Sequence, residues 1–145
     1  ALYGNKGEIG DSSAILPIGK ALVEEKGDKL LVIGYSRGYC EALQALSGYE
    51  ATFLDLCSLK PLDEEAIKKW ARKIGKVLIV ENVPLQSSVA ESIMRIIMED
   101  GIKAEIRVVS ALDMPLAFSR KLEYEALPNR ERILKEADSL IGEKL

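Results

Sequence analysis

Without a single histidine among its 145 residues, the chain can build no imidazole triad, proton shuttle or histidine-ligated metal site. Chemistry would fall to carboxylates, lysines and thiols. Glu81 is the first candidate, because it and Asn82 follow the apolar run Val77 to Val80, at the carboxyl end of a predicted strand. Parallel sheets place their sites at such ends. The competing reading makes Glu81 a buried structural acid that receives the amides of the following helix. Cys40 and Cys57 have neither metal-type spacing nor a framework of pairs, so reduced, partly buried thiols are expected, with a redox pair as the alternative.

Gly34 and Gly38 frame a Gly-x-x-x-Gly turn that resembles a dinucleotide fingerprint only in part. The third glycine is missing, and Asp55 alone stands about where a ribose-binding acid would be. Close packing of a helix against a strand explains the two glycines without a ligand. Lys68, Lys69, Arg72, Lys73 and Lys76 cluster in and just after the last turns of a predicted helix, where they complement its dipole and face water.

The elements that would position these residues follow from the apolar pattern. Ile15 to Val23, interrupted by Pro17 and Gly19, can be a strand only at an edge or across a bulge. The Lys26–Gly27–Asp28 turn leads to a buried-type strand at Leu30 to Ile33, implying either an antiparallel edge or a neighbour reached from the other side. Ser36 can cap the helix that carries Cys40, Leu43 and Leu46. Ala51 to Leu56 is the next strand, and Asp63 caps a helix burying Ala66, Ile67, Trp70, Ala71 and Ile74.

After Val77 to Val80 come Glu81 and Asn82, a loop at Val83 to Gln86, and a helix whose buried face holds Val89, Ile93, Ile96 and Ile97. Ala104 to Val109 is the last strand. Asp113 to Pro128 reads as irregular, anchored by Met114, Pro115, Leu116 and Phe118, before Asn129 caps a final helix through Ile133, Leu134, Ala137, Leu140 and Ile141. Strand and helix alternate as in a mostly parallel sheet between helical layers. The fold class is therefore α/β, as one domain over 14–145 preceded by a glycine-bearing linker or arm over 1–13.

A net charge of −3 gives no reason to expect nucleic acid. No apolar run approaches the roughly 20 residues that span a bilayer, and the first residues lack the order of a secretory signal, so no membrane partner and a cytoplasmic location are expected.

Four segments together resemble one known unit: Ile18-Gly19-Lys20-Ala21, Asp55-Leu56 with Leu59-Lys60-Pro61-Leu62-Asp63-Glu64-Glu65, Val77 to Asn82, and the tail. They are similar to the C-terminal domain of the thiamine-diphosphate enzymes of the transketolase group. The tail, Asp113-Met114-Pro115-Leu116-Ala117 with Leu122-Glu123 and Ala126-Leu127-Pro128, is most like the beta subunit of a pyruvate or branched-chain 2-oxoacid dehydrogenase, decarboxylating component. Tyr3 and Lys6-Gly7-Glu8-Ile9 resemble the linker before this domain in those subunits. The resemblance implies a three-layer α/β/α sandwich with a five-stranded, mostly parallel sheet and one antiparallel edge strand.

The chain departs from that pattern in three places. The helix after Gly38 is about a turn shorter, the usual histidine before the acid at Glu81 is absent, and the glycine-rich loop is replaced by Pro84-Leu85-Gln86-Ser87-Ser88. An interface or ligand loop at Glu81, Asn82, Gln86, Ser87 and Ser88 is therefore an open expectation.

By the same resemblance, thiamine diphosphate and magnesium belong to the parent enzyme, and no cofactor-binding or catalytic residue lies in this chain. The implied parent oxidatively decarboxylates a 2-oxoacid and passes the acyl group to lipoyl within a multienzyme complex. The implied partners are a diphosphate-binding alpha subunit or domain, a second beta subunit and the lipoyl acyltransferase core, with Glu143 and the Leu145 carboxylate as docking groups. The isolated chain is expected to be inactive. The alternatives are the corresponding domain of a transketolase or deoxyxylulose-phosphate synthase, or a free-standing small-anion binding module of the same fold; the start at Ala1, without methionine, favours a part of a longer chain.

Overall fold

Alternate residues of the apolar runs point to opposite faces, and in this protein both faces are covered. In the computed structural model, which describes residues 15–115 and 118–142, strands β1 (Leu22–Glu25), β2 (Leu30–Gly34), β3 (Ala51–Asp55), β4 (Lys76–Pro84) and β5 (Glu105–Ala111) form one sheet. The order across it is β1-β3-β2-β4-β5. All neighbours are parallel except β1 and β3, which pair antiparallel with Leu22 opposite Asp55.

Helices α1 (Ser36–Ala45) and α5 (Arg130–Ile141) pack on the face that carries Leu30, Val32, Phe53, Leu78 and Val80. Helices α2 (Glu64–Ile74) and α3 (Val89–Glu99) cover the other face, with Leu31, Ile33, Leu54, Val77 and Ile79. The result is the expected three-layer sandwich with an antiparallel edge strand. Two helix caps are as read from the sequence, the Ala66 amide donating to Asp63 Oδ1 at 3.2 Å and the Arg132 amide to Asn129 Oδ1 at 3.0 Å, and Ser88 Oγ adds a third by accepting the Glu91 amide at 3.4 Å.

Three expectations require correction. The first strand begins only at Leu22, because Pro17 and Gly19 make a turn closed by the Lys20 amide on the Pro17 carbonyl at 3.1 Å, with Gly19 at φ 80°. The strand before the Lys26 to Asp28 turn is an antiparallel edge, one of the two arrangements expected, with β3 rather than β2 as its partner. The segment after β4 is not a loop from Val83: the strand runs through a register shift to Pro84, and a 3-10 turn over Leu85–Ser87 leads into α3.

The stretch Asp113 to Pro128 contains a short helix, α4 (Arg120–Ala126), and is held by buried Ala126, Leu127 and Pro128. Met114 and Phe118 are exposed instead of anchoring it, and Leu116 lies outside the described residues, as does the expected linker 1–13.

Candidate functional site

The carboxyl ends of β2 and β4 are neighbours at the middle of the sheet, where the helices that follow them diverge to opposite faces. This switch point is where open α/β sheets hold ligands. Here it is closed by helix α1. A Cβ on Gly38 would come within 2.7 Å of the Val80 carbonyl oxygen, and one on Gly34 within 3.1 Å of the same atom. The two glycines thus serve the close packing of α1 on the end of β4.

Glu81 sits beneath this contact with no exposed surface. Its Oε2 accepts the Val89 amide at 3.2 Å, at the start of α3, while Oε1 has no partner at hydrogen-bonding geometry. Burial pushes the carboxyl pKa up, and the Ser88 hydroxyl with the amides of Ala90 and Val89 only partly offsets it. Tyr35, the residue before α1, lies within electrostatic reach: burial raises its phenol first, and the negative charge of Glu81 adds to that. Sequence reading missed Tyr35, and its position directly after the glycine that ends β2 was the available signal.

The other candidates are spread around Glu81. Asn82 is half-buried with an Oδ1 that has no partner, Gln86 is exposed, and Ser88 is buried as the cap of α3. Ser87 contributes backbone to the 3-10 turn. Glu143 and Leu145 lie outside the described residues. Ser36 does not cap α1 through its side chain. Tyr35 holds the cap position, and Ser36 takes a positive φ of 52° at the sharp turn out of β2.

Asp55 accepts the Cys57 amide through Oδ1 at 3.2 Å and so braces the turn after β3. Cys57 is exposed, contrary to the expectation of partial burial, while Cys40 is half-buried. Local desolvation by the neighbouring chain and then the negative charge of Asp55 push the Cys57 thiol pKa up even at this exposed position, away from nucleophilic thiolate. Nearby, burial and then Asp55 hold the Tyr39 phenol up to about 12.

The basic cluster is a solvated face. Lys68 faces Glu64 at 3.3 Å, Arg72 pairs with Asp100, Lys73 reaches Glu25 at 2.7 Å, and Lys69 and Lys73 lie over the Trp70 ring at 5.1 and 4.5 Å. Among the described residues no three acidic or thiol side chains are grouped to hold a metal ion, and no helix is long and apolar enough to cross a membrane. What the strand ends can do chemically is hold α3 and α1 in place around a largely dehydrated carboxyl.

The family described as transketolase, C-terminal domain matches residues 19–133. The chain is similar to the mitochondrial pyruvate dehydrogenase E1 component subunit beta of Caenorhabditis elegans, 31% identical over 92% of this chain and 42% of that one. It is also similar to the acetoin:2,6-dichlorophenolindophenol oxidoreductase subunit beta of Bacillus subtilis (strain 168), 30% identical over 97% of this chain and 44% of that one. The chain thus spans under half the length of these relatives. Among solved structures, one described as a split gene transketolase, inactive beta4 tetramer, superposes with a TM-score of 0.79 at 18% identity, covering 96% of this chain and 48% of that one.

Proposed function

Because the chain belongs to the transketolase C-terminal-domain family, we propose that it is the assembly domain of the beta subunit of a thiamine-diphosphate-dependent 2-oxoacid dehydrogenase. In this reading it contributes subunit contacts, and the decarboxylation and acyl transfer to lipoyl occur on other parts of the enzyme. The similarity to dehydrogenase and oxidoreductase beta subunits along nearly the whole chain supports the choice of parent. The carrying observation for a non-catalytic role is the closed switch point, with Gly38 against the β4 backbone and a buried acid beneath it.

Those residues do not suit a diphosphate. Between β2 and β4, Gly38 packs against the Val80 carbonyl, and a buried acid that repels anions when ionised stands beside it where phosphate oxygens would need donors. No step is therefore assigned to thiamine diphosphate in this domain. The same geometry disfavours a small-anion site at Pro84 to Ser88, because Glu81 and the Ser88 hydroxyl already accept the Val89 and Glu91 amides at the start of α3.

Calorimetry of the chain with thiamine diphosphate and magnesium tests the reading. No binding heat is expected; a saturable signal would overturn it.

A further inference from the structure

The amino ends of β2, β3 and β4, at the far end of the sheet from Glu81, are hollowed. Two adjoining cavities of about 390 and 320 Å³ lie there and share Lys29 and Ile141 as their common wall. Each falls in the lower part of the roughly 300–1,000 Å³ usual for small-molecule sites.

The second cavity lies between Ile74, the last residue of α2, and Ile141, the last of α5. Lys29 on its rim is paired with Glu50. Its other charges are Asp28, from the turn before β2, and Lys76, the first residue of β4; among the described residues neither makes an ion pair, even with the other. Opposite charges that face one cavity without closing it leave a gap for a molecule that carries both.

Simpler ligands fit less well. A bare anion would meet Asp28 and the carbonyl ends of α2 and α5, where the helix dipoles are negative, and a bare cation would meet Lys76 and Lys29. A zwitterion meets neither conflict. The walls left over are the half-buried side chains of Ile74 and Ile141, which offer the third substituent of such a molecule an apolar surface and no polar group. Separated charges and apolar walls together describe an α-amino acid with an aliphatic side chain.

We propose that the cavity between α2 and α5 binds an aliphatic α-amino acid, its carboxylate on Lys76, its ammonium facing Asp28 and its side chain between Ile74 and Ile141. The site needs no second subunit and does not rest on the assembly reading.

Titration of the 145-residue chain with L-leucine, followed by amide chemical shifts in NMR, tests it. Two probes of similar shape run beside it: the matching 2-oxoacid, which lacks the ammonium, and the matching amine, which lacks the carboxylate. Leucine is expected to bind saturably at about millimolar concentration or below, with shifts centred on Lys76 and Ile141, and each probe at least roughly tenfold more weakly. Lys76→Gln and Asp28→Asn should each weaken leucine roughly tenfold, while Lys121→Gln, on α4 at the other end of the sheet, should leave it unchanged. Circular dichroism checks that the variants fold. No saturable shifts with leucine would overturn the proposal, as would equal binding of either probe or binding indifferent to both Lys76→Gln and Asp28→Asn. Thiamine diphosphate binding would defeat the assembly reading without altering these outcomes, so the two fail separately.

Discussion

Glu81 carries the sharpest consequence at the level of single residues. Its pKa is raised chiefly by burial, against the helix-start donors that favour the ionised form. An acid whose folded pKa lies above its unfolded value contributes stability that is fully present below the unfolded value and is lost as pH rises through the folded one. Glu81→Gln keeps an oxygen for the Val89 amide and removes the ionisation. The variant is expected to match the original at about pH 4 and to exceed it by on the order of 1 kcal/mol at about pH 8, measured by urea unfolding at both. An unchanged difference between the two pH values would refute burial as the dominant influence. The position of Glu81 was legible because the apolar run Val77 to Val80 ends there. Its neighbour Tyr35 was not, since nothing local says that the end of β2 lies beside the end of β4.

Elements were readable where local chemistry decides and less so where the turn between them does. Asp63, Ser88 and Asn129 each stand directly before an amphipathic run, and each caps it. Ser36 has the same residue chemistry, but its positive φ belongs to a turn shaped by the glycines on either side, and its side chain takes no part in the cap. Helix α4, with seven residues, is too short to show a helical period, and the extension of β4 depends on a register shift that alternation does not announce. The glycine contact between α1 and β4 sets a further expectation. Gly38→Ala would place a methyl 2.7 Å from the Val80 carbonyl oxygen and is expected to cost about 1–3 kcal/mol. Gly48→Ala, which meets nothing within 4 Å, is expected to be neutral or to stabilise by up to about 1 kcal/mol through the unfolded chain. Thermal unfolding of the two variants makes the comparison; equal losses would show that the close approach is not what Gly38 provides.

At the scale of the whole molecule, alternating strands and helices indicated a layered α/β fold and the resemblance a five-stranded sheet with an antiparallel edge, while the order of the strands across it was not legible in the sequence. The reason is physical. A buried strand looks the same from either side, so its apolar pattern fixes burial but not which strand lies next to it. Order across the sheet then decides how stability is distributed. β2 and β4 are hydrogen-bonded on both sides and their apolar residues are buried on both faces, whereas β1 pairs with β3 alone and all four of its residues are exposed. What ties β1 down further is peripheral, chiefly the exposed pair between Glu25 and Lys73. In native-state hydrogen exchange, the paired amides of β2 and the first half of β4 are expected to exchange only through global unfolding, and those of β1 through local opening, at least roughly a hundredfold faster. Adding denaturant should accelerate the central amides steeply and leave β1 almost unaffected. If β1 instead exchanged at the rate and with the denaturant dependence of β2, the edge strand would be part of the cooperative core, and its stability would have to come from contacts beyond its single pairing with β3.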